Sequence, residues 1–390
     1  MATGAGTNER QLAVGASSLA DPRAAAAAAA EAAAVSEPKL ALVFVSPLLD
    51  ALQALEGVSS VLGEVAIVGC TTVAELSPAG AATGSVVVAV IGGSGIEVAT
   101  AHTESLTPAP RAAAELGRAL ERLGDRENRV LIVLADGLAP AKQDLLSALY
   151  ALSGADTPIV GGCSGNDPRL SRTFQLHGRE VYGGGAVVAA IASDGPIAVG
   201  IEHGYEVVGG PSVVTEVAGA RVIELDGRPA AEVYLEAHRA PALVVADAAV
   251  RRAFTHSRPL GVAAPLARPL ARFIGDFDVG AGALGCLAEV QRGSLVWFMK
   301  GDEESVAAAA EKAVAEVLNG LGSPPVGLLA FDCVARGGIL RGQGIEETVR
   351  TISERGGGAP FAGFLGYAQI GRLRGLAGLH NQTLVVLGLG

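Results

Sequence analysis

The chain has 390 residues, half of them hydrophobic, with 53 glycines, 4% aromatics and a net charge of −11. That length gives room for two or three domains around a core of Ala, Val, Leu and Gly, and the acidic balance excludes nucleic acid and anionic membranes as default partners. The four cysteines, Cys70, Cys163, Cys286 and Cys333, form no CxxC pair, which argues against a zinc site and for reduced, buried thiols in a cytoplasmic protein.

In chain order, Glu9 and Arg10 precede a weakly hydrophobic alanine run at 24–30, which reads as a helix and not as a secretory signal. Residues 39–76, "KLALVFVSPLLDALQAL…EVAIVGCTTVAEL", read as a buried strand, a turn, a helix and a second strand that ends in Gly69-Cys70-Thr71-Thr72. The uncharged stretch from Ser77 to Ile96 is broken by glycines, so strands and turns fit it better than a membrane helix. Residues 129–167, "RVLIVLADGLAPAKQDLLSALYALSGADTPIVGGCSGND", repeat the pattern and end in Gly162-Cys163-Ser164. "VIELDGRPAAEVYLEAH" at 222–238 reads as strand, turn and helix, with Asp226-Gly227 making the turn and Gly285-Cys286 following between two more strand-like runs. Asp302 is a helix N-cap, followed by Glu303 and Glu304 in the first turn of a helix expected to reach about Leu318. A fainter copy of the repeat closes the chain in "VGLLAFDCVARGGIL", "EETVRTISERG", "PFAGFLGYAQIG" and "NQTLVVLGL". Together these predict an α/β fold of two related halves, built from strand–helix–strand repeats with mixed sheets and divided at 1–229 and 230–390.

Two residue patterns bear on chemistry. Gly161-Gly162-Cys163-Ser164-Gly165 matches G-x-C-x-G, the cysteine form of a nucleophile elbow, with Asp226 and His380 as the triad partners a sequence can offer. The sister motif at Cys70 lacks the second glycine, so what recurs is Gly-Cys-hydroxyl and not the elbow, which favours a small residue at a close backbone approach over a nucleophile. His203, in "IEHGYEVVG", is the one candidate for an axial haem ligand. His102, His177, His238 and His256 lie in polar or turn-like contexts and are expected to be solvated. No Walker lysine loop and no Rossmann glycine fingerprint is present.

The ordered set "VGASS" with an Ala-rich helix, "LVFVSP", "VGCTTVAEL", "VGGCSGND", "IEHGYEVVG", "VTEVAGARVIELDGRPA", "FAGFLGYAQIG" and "HNQTLVVLGL" resembles the FIST family, with its FIST N and FIST C regions, over nearly the whole chain. The resemblance implies a cytoplasmic, non-enzymatic module of signal transduction that senses a small molecule. It would act through a separate signalling protein, without nucleic acid, membrane or obligatory cofactor. Some members are haem-based nitric-oxide sensors, so haem on His203 is the alternative; a cysteine-dependent hydrolase or transferase using Cys163 is another. One departure is that Ala368-Gln369 stands where the family usually has Gly-Glu. The expected pocket lies at strand ends between the halves. It is lined by Cys70, Thr71, Thr72, Cys163, Ser164, Asn166 and Asp167 from one half and by Gln369, His380 and Asn381 from the other.

Overall fold

The computed structural model describes residues 10–166, 172–264, 268–340, 343–372 and 378–390. Its first unit runs β1 (Gln11–Ser17), α1 (Pro22–Ala32), β2 (Pro38–Val45), α2 (Ala51–Leu62), β3 (Ala66–Thr71), β4 (Ala74–Ser77), β5 (Gly80–Ala82) and β6 (Val86–Gly92). The second repeats that order as β7 (Ile96–Thr103), α3 (Ala109–Glu121), β8 (Asn128–Ala135), α4 (Lys142–Ser153), β9 (Ile159–Cys163), β10 (Gln175–His177), β11 (Glu180–Tyr182) and β12 (Ala186–Ser193).

A third unit begins with β13 (Ile197–Glu202) and is then interrupted by an inserted lobe. The lobe comprises β14 (Glu206–Ala218), β15 (Arg221–Leu225), β16 (Arg228–Pro229), α5 (Ala230–Ala237), α6 (Leu243–Ala246), α7 (Ala248–His256), β17 (Leu260–Val262), β18 (Leu270–Arg272), β19 (Ile274–Asp278), β20 (Ala283–Cys286) and β21 (Leu295–Lys300). The unit resumes with α8 (Glu303–Leu321), β22 (Gly327–Cys333), α9 (Val334–Gly337), α10 (Gly344–Arg355), β23 (Phe361–Gly366), β24 (Ala368–Arg372), β25 (Leu379–His380) and β26 (Leu384–Leu389). The strand–helix–strand repeats and mixed sheets are thus as expected, and the faint last copy is a complete unit. The division expected at 229/230 falls inside the inserted lobe.

Local sequence accounts for these elements. Asp21 accepts the Ala24 amide at 2.7 Å and Pro22 opens α1, so an alanine run starts with its first turn already capped. Asp302 and Ser305 form a reciprocal capping box on α8. The middle strands β2, β8 and β22 are apolar on both faces because a helix layer covers one face and the common core the other.

Each unit builds a sheet with its second and third strands parallel, β2–β3, β8–β9 and β22–β23, and its first and last strands antiparallel. The short hairpin after the third strand leaves its own sheet. β4–β5 joins β23, β10–β11 joins β3, and β24–β25 joins β9. The exchange closes a ring of three sheets. One core fills the middle, with Leu42 and Phe44, Ile132 and Leu134, and Leu329 and Phe331 contributed by the three middle strands. The lobe packs on its own core around Tyr234, Leu284 and Phe298.

Candidate functional site

The three third strands end together, and glycine fixes how closely they approach. A Cβ on Gly69, Gly161 or Gly363 would lie 2.2, 2.0 and 2.1 Å from the carbonyl oxygens of Val43, Val133 and Ala330. These glycines are therefore equivalent, and they set the register of the units. The next position is Cys70, Gly162 and Phe364, facing the common core; the one after is Thr71, Cys163 and Leu365. The two Gly-Cys motifs are consequently offset by one residue, against the expectation that the cysteines match. Cys70 packs into the central core, whereas Cys163 packs toward α3 and α4. A one-residue slip reverses the face of a strand side chain.

Opposite Phe364, Cys70 and Gly162, the exchanged hairpins place Glu75, Gln175 and Gln369. All three are fully buried polar side chains. Buried polar groups have to find partners. Glu75 is held by the Thr72 hydroxyl and by the Ser85 hydroxyl at 2.5 Å, and burial raises its carboxyl to about 7. Gln175 donates to Ser164 Oγ at 2.8 Å, and Ser164 Oγ donates to Ala135 O at 3.0 Å while accepting the Gly137 amide. Gln369 donates to Asp332 O at 2.8 Å.

Thr72 and Ser164 are thus committed to holding the strand ends. Burial pushes the Cys163 thiol up to about 11 and raises that of Cys70 as well, the reverse of what a thiolate nucleophile needs. The other members of the paper triad are also engaged elsewhere. Asp226 accepts the Val213 amide at 2.8 Å in the lobe, and His380 Nε2 donates to Gly371 O at 2.6 Å.

A polar junction forms where the third unit meets the lobe. Cross-strand pairing sets Gln369 against His380. Asp332, at the end of β22, holds the fully buried Arg336 at 2.7 Å, and Arg336 also donates to Val306 O. From the lobe, Arg272 donates to Leu379 O at 3.0 Å. Gln382 reaches His256 O at 2.7 Å from a left-handed backbone (φ 50°), the position that Gly84 and Gly184 occupy in the other units. After these bonds, six buried atoms at the junction have no partner: Asp332 Oδ2, Gln369 Oε1, Asn381 Oδ1, Gln382 Oε1, Arg272 Nε and Arg336 Nε. Burial raises the Asp332 carboxyl and lowers His380 to about 4, so the imidazole is neutral at pH 7.

The structure therefore divides the expected residues. Gln369, His380 and Asn381 meet at this junction. Cys70, Thr72, Cys163 and Ser164 seal the core end of the strands. Thr71 and Asn166 line a separate cavity of about 460 Å³ with Asp50, Leu52, Arg172 and Phe174; Asp167 lies outside the described residues. Nothing in the sequence singles out Arg272, whose setting "LARPLARFIG" looks like one more arginine in an arginine-rich chain. Asp332 carried a signal, an acid inside the apolar run "GLLAFDC".

His203 is buried, with Nδ1 accepting the Tyr205 amide at 2.9 Å and Nε2 donating to Pro269 O at 3.2 Å. With both nitrogens engaged, neither offers a lone pair to an iron. All four histidines expected to be solvated are packed instead, with His256 edge-on to Phe273 at 4.8 Å and its Nδ1 donating to Arg252 O at 2.7 Å. His102 stacks on Tyr182 with ring centroids 4.3 Å apart, His238 packs edge-on to Tyr234 at 4.6 Å, and His177 pairs with Thr100 Oγ1 at 3.0 Å. Burial lowers His177 and His238 to about 4. Among the described residues, no metal-ligating group of three or more side chains assembles and no helix is long and apolar enough to cross a membrane.

The fold is three exchanged strand–helix–strand units with an inserted lobe, and unpartnered buried polar atoms gather where the lobe meets the third unit. Residues 39–228 match the FIST N domain and 230–372 the FIST C domain, and the chain belongs to the FIST family of signal-transduction sensory domains. Two uncharacterized proteins of Mycobacterium tuberculosis, from strains CDC 1551 / Oshkosh and ATCC 25618 / H37Rv, are each 29% identical over 240 residues, 58% of this chain and 59% of theirs. The match thus spans about three fifths of the length of these curated relatives. A crystal structure of cyanuric acid hydrolase from A. caulinodans overlaps 47% of this chain and 71% of that one at 13% identity and a TM-score of 0.28, too slight an overlap to transfer anything.

Proposed function

We propose that this chain is a cytoplasmic, non-enzymatic sensory module that binds a small polar molecule where the third unit meets the inserted lobe, and that reports occupancy to a separate signalling protein. The observation that carries the reading is the set of six unpartnered buried polar atoms on Asp332, Arg336, Gln369, Asn381, Gln382 and Arg272. Each such atom costs about 1–3 kcal/mol when left dry, so the junction favours an occupant that satisfies several at once. An occupant bridging Gln369 and Asn381 on the ring to Arg272 on the lobe links the two bodies. Its binding biases their relative arrangement, which is the differential contact a sensor requires.

The test is thermal unfolding of the full chain with and without a bacterial metabolite extract of small molecules. The extract is expected to raise the midpoint of the wild type and of Asn166→Ala, a change in the lining of the separate cavity, and to leave Gln369→Leu unshifted. A shift retained by Gln369→Leu and lost in Asn166→Ala would move the site to the cavity at Thr71.

A further inference from the structure

Among the described residues, the junction sets two buried arginines, Arg272 and Arg336, against the buried acid Asp332. Arg272, at the end of β18, is only 4% exposed. Its guanidinium donates to two backbone oxygens, Ala271 O at 3.2 Å and Leu379 O at 3.0 Å, and Nε has no partner. The acids nearby are taken: Asp332 pairs with Arg336, and Glu202 with Arg268 at 3.0 Å. The ionisable group that acts on Arg272 is the Cys286 thiol, which burial holds near 12, so it supplies no counter-charge. Burial lowers Arg272 itself only to about 10, which leaves it charged at neutral pH. His203 and His380, both lowered to about 4, are neutral there.

Buried charges in proteins are paired, because desolvating an isolated ion costs several kcal/mol. Water in the junction would satisfy the free N–H but would leave the charge unbalanced. A guanidinium presents parallel donors in a rigid fork that matches two oxygens of one oxyanion. Resting on the reading above that the ligand sits at this junction, we infer that Arg272 anchors an oxyanion, so that the sensed molecule carries a carboxylate or a phosphoryl group. The amide groups of Gln369, Asn381 and Gln382 then face the remainder of the molecule and select its polar substituents.

The experiment compares sodium succinate, sodium phosphate and sodium chloride at equal ionic strength, using thermal unfolding and calorimetry on the full chain. Succinate or phosphate is expected to raise the wild-type midpoint above the chloride control; which of them does so separates a carboxylate from a phosphoryl ligand. Arg272→Met is expected to weaken that anion by about tenfold or more, the scale of one charge-assisted hydrogen bond. It is also expected to leave the ligand-free protein no less stable, since it removes an unpaired buried cation. Arg272→Lys keeps the charge, loses the fork, and is expected to bind with intermediate affinity; it decides the matter if the Met variant does not fold. The inference is overturned if neither oxyanion exceeds chloride, or if Arg272→Met lowers the midpoint while keeping anion affinity, as a purely structural arginine would. A neutral compound that stabilises the wild type and Arg272→Met alike would overturn the anchor and leave the sensory reading standing.

Discussion

Glu75 offers a prediction whose sign changes with pH. Its carboxyl is fully buried, and its pKa is raised from 4.5 to about 7, with desolvation the dominant cause and hydrogen bonds from Ser85 and Thr72 opposing it. The folded chain therefore keeps this proton while the unfolded chain releases it between pH 4.5 and 7. The unfolded state binds fewer protons over that window, so stability falls as pH rises through it and levels off above about 7. At about 1.4 kcal/mol per pH unit, ionising Glu75 costs about 3 kcal/mol of stability by pH 8. Glu75→Gln substitutes an amide that reproduces the bonding of the protonated acid: one oxygen accepts from Ser85 and the NH₂ donates to Thr72, whose hydroxyl can pass its proton on to Val45 O. The variant should match the wild type to within about 1 kcal/mol at pH 4.5. At pH 8 it should be more stable by about 2–3 kcal/mol. Urea denaturation at both pH values measures the difference. Parallel pH profiles for the two proteins through this window would refute the reasoning, since the difference between them is assigned to this one carboxyl.

Gly161→Ala places a Cβ 2.0 Å from Val133 O on a backbone with φ of 139°, and should destabilise by about 3 kcal/mol or more; a soluble, cooperatively unfolding variant near wild-type stability would contradict the close approach. Cys163, held near 11 by burial, should react with iodoacetamide at neutral pH far more slowly than free cysteine, and mass spectrometry of the alkylated peptide reads this directly. Asp332→Asn removes the charge that balances the fully buried Arg336 and should cost about 3–5 kcal/mol; combining it with Arg336→Met should recover most of that loss, as denaturation midpoints of the single and double variants will show.

What was legible in the sequence is the repeat, because buried parallel strands leave continuous apolar runs that survive divergence. The third copy reads faintly because its first strand is separated from its first helix by the whole inserted lobe, so β13 and α8 lie about a hundred residues apart. The offset of Cys70 and Cys163 was hidden for a different reason. A Gly-Cys pair looks alike in either register, and only the contacts of Gly69 and Gly161 with their neighbouring carbonyls show which glycine is which. The hairpin exchange is a long-range pairing with no local signature. It is nevertheless what brings Gln369, Gln175 and Glu75 to equivalent places. That equivalence bears on the Gly-Glu departure: the third unit carries an amide where the first carries an acid, and Gln369 Nε2 donates to a carbonyl that a carboxylate could not engage. The polar strand start "HNQT" marked out His380 and Asn381, since that much polarity before an apolar strand has to be accommodated, and both are buried where the third unit meets the lobe. Arg272 had no such signal, because its burial depends on how the lobe folds back onto β25.

The central claim, a small polar molecule held between the ring and the lobe, is tested most directly by native mass spectrometry of freshly purified full-length protein beside Gln369→Leu. The account predicts a discrete small-molecule adduct on the wild type, released on denaturation and missing from the variant. Bare protein in both samples after exposure to the metabolite extract, or the same adduct on both, would contradict it.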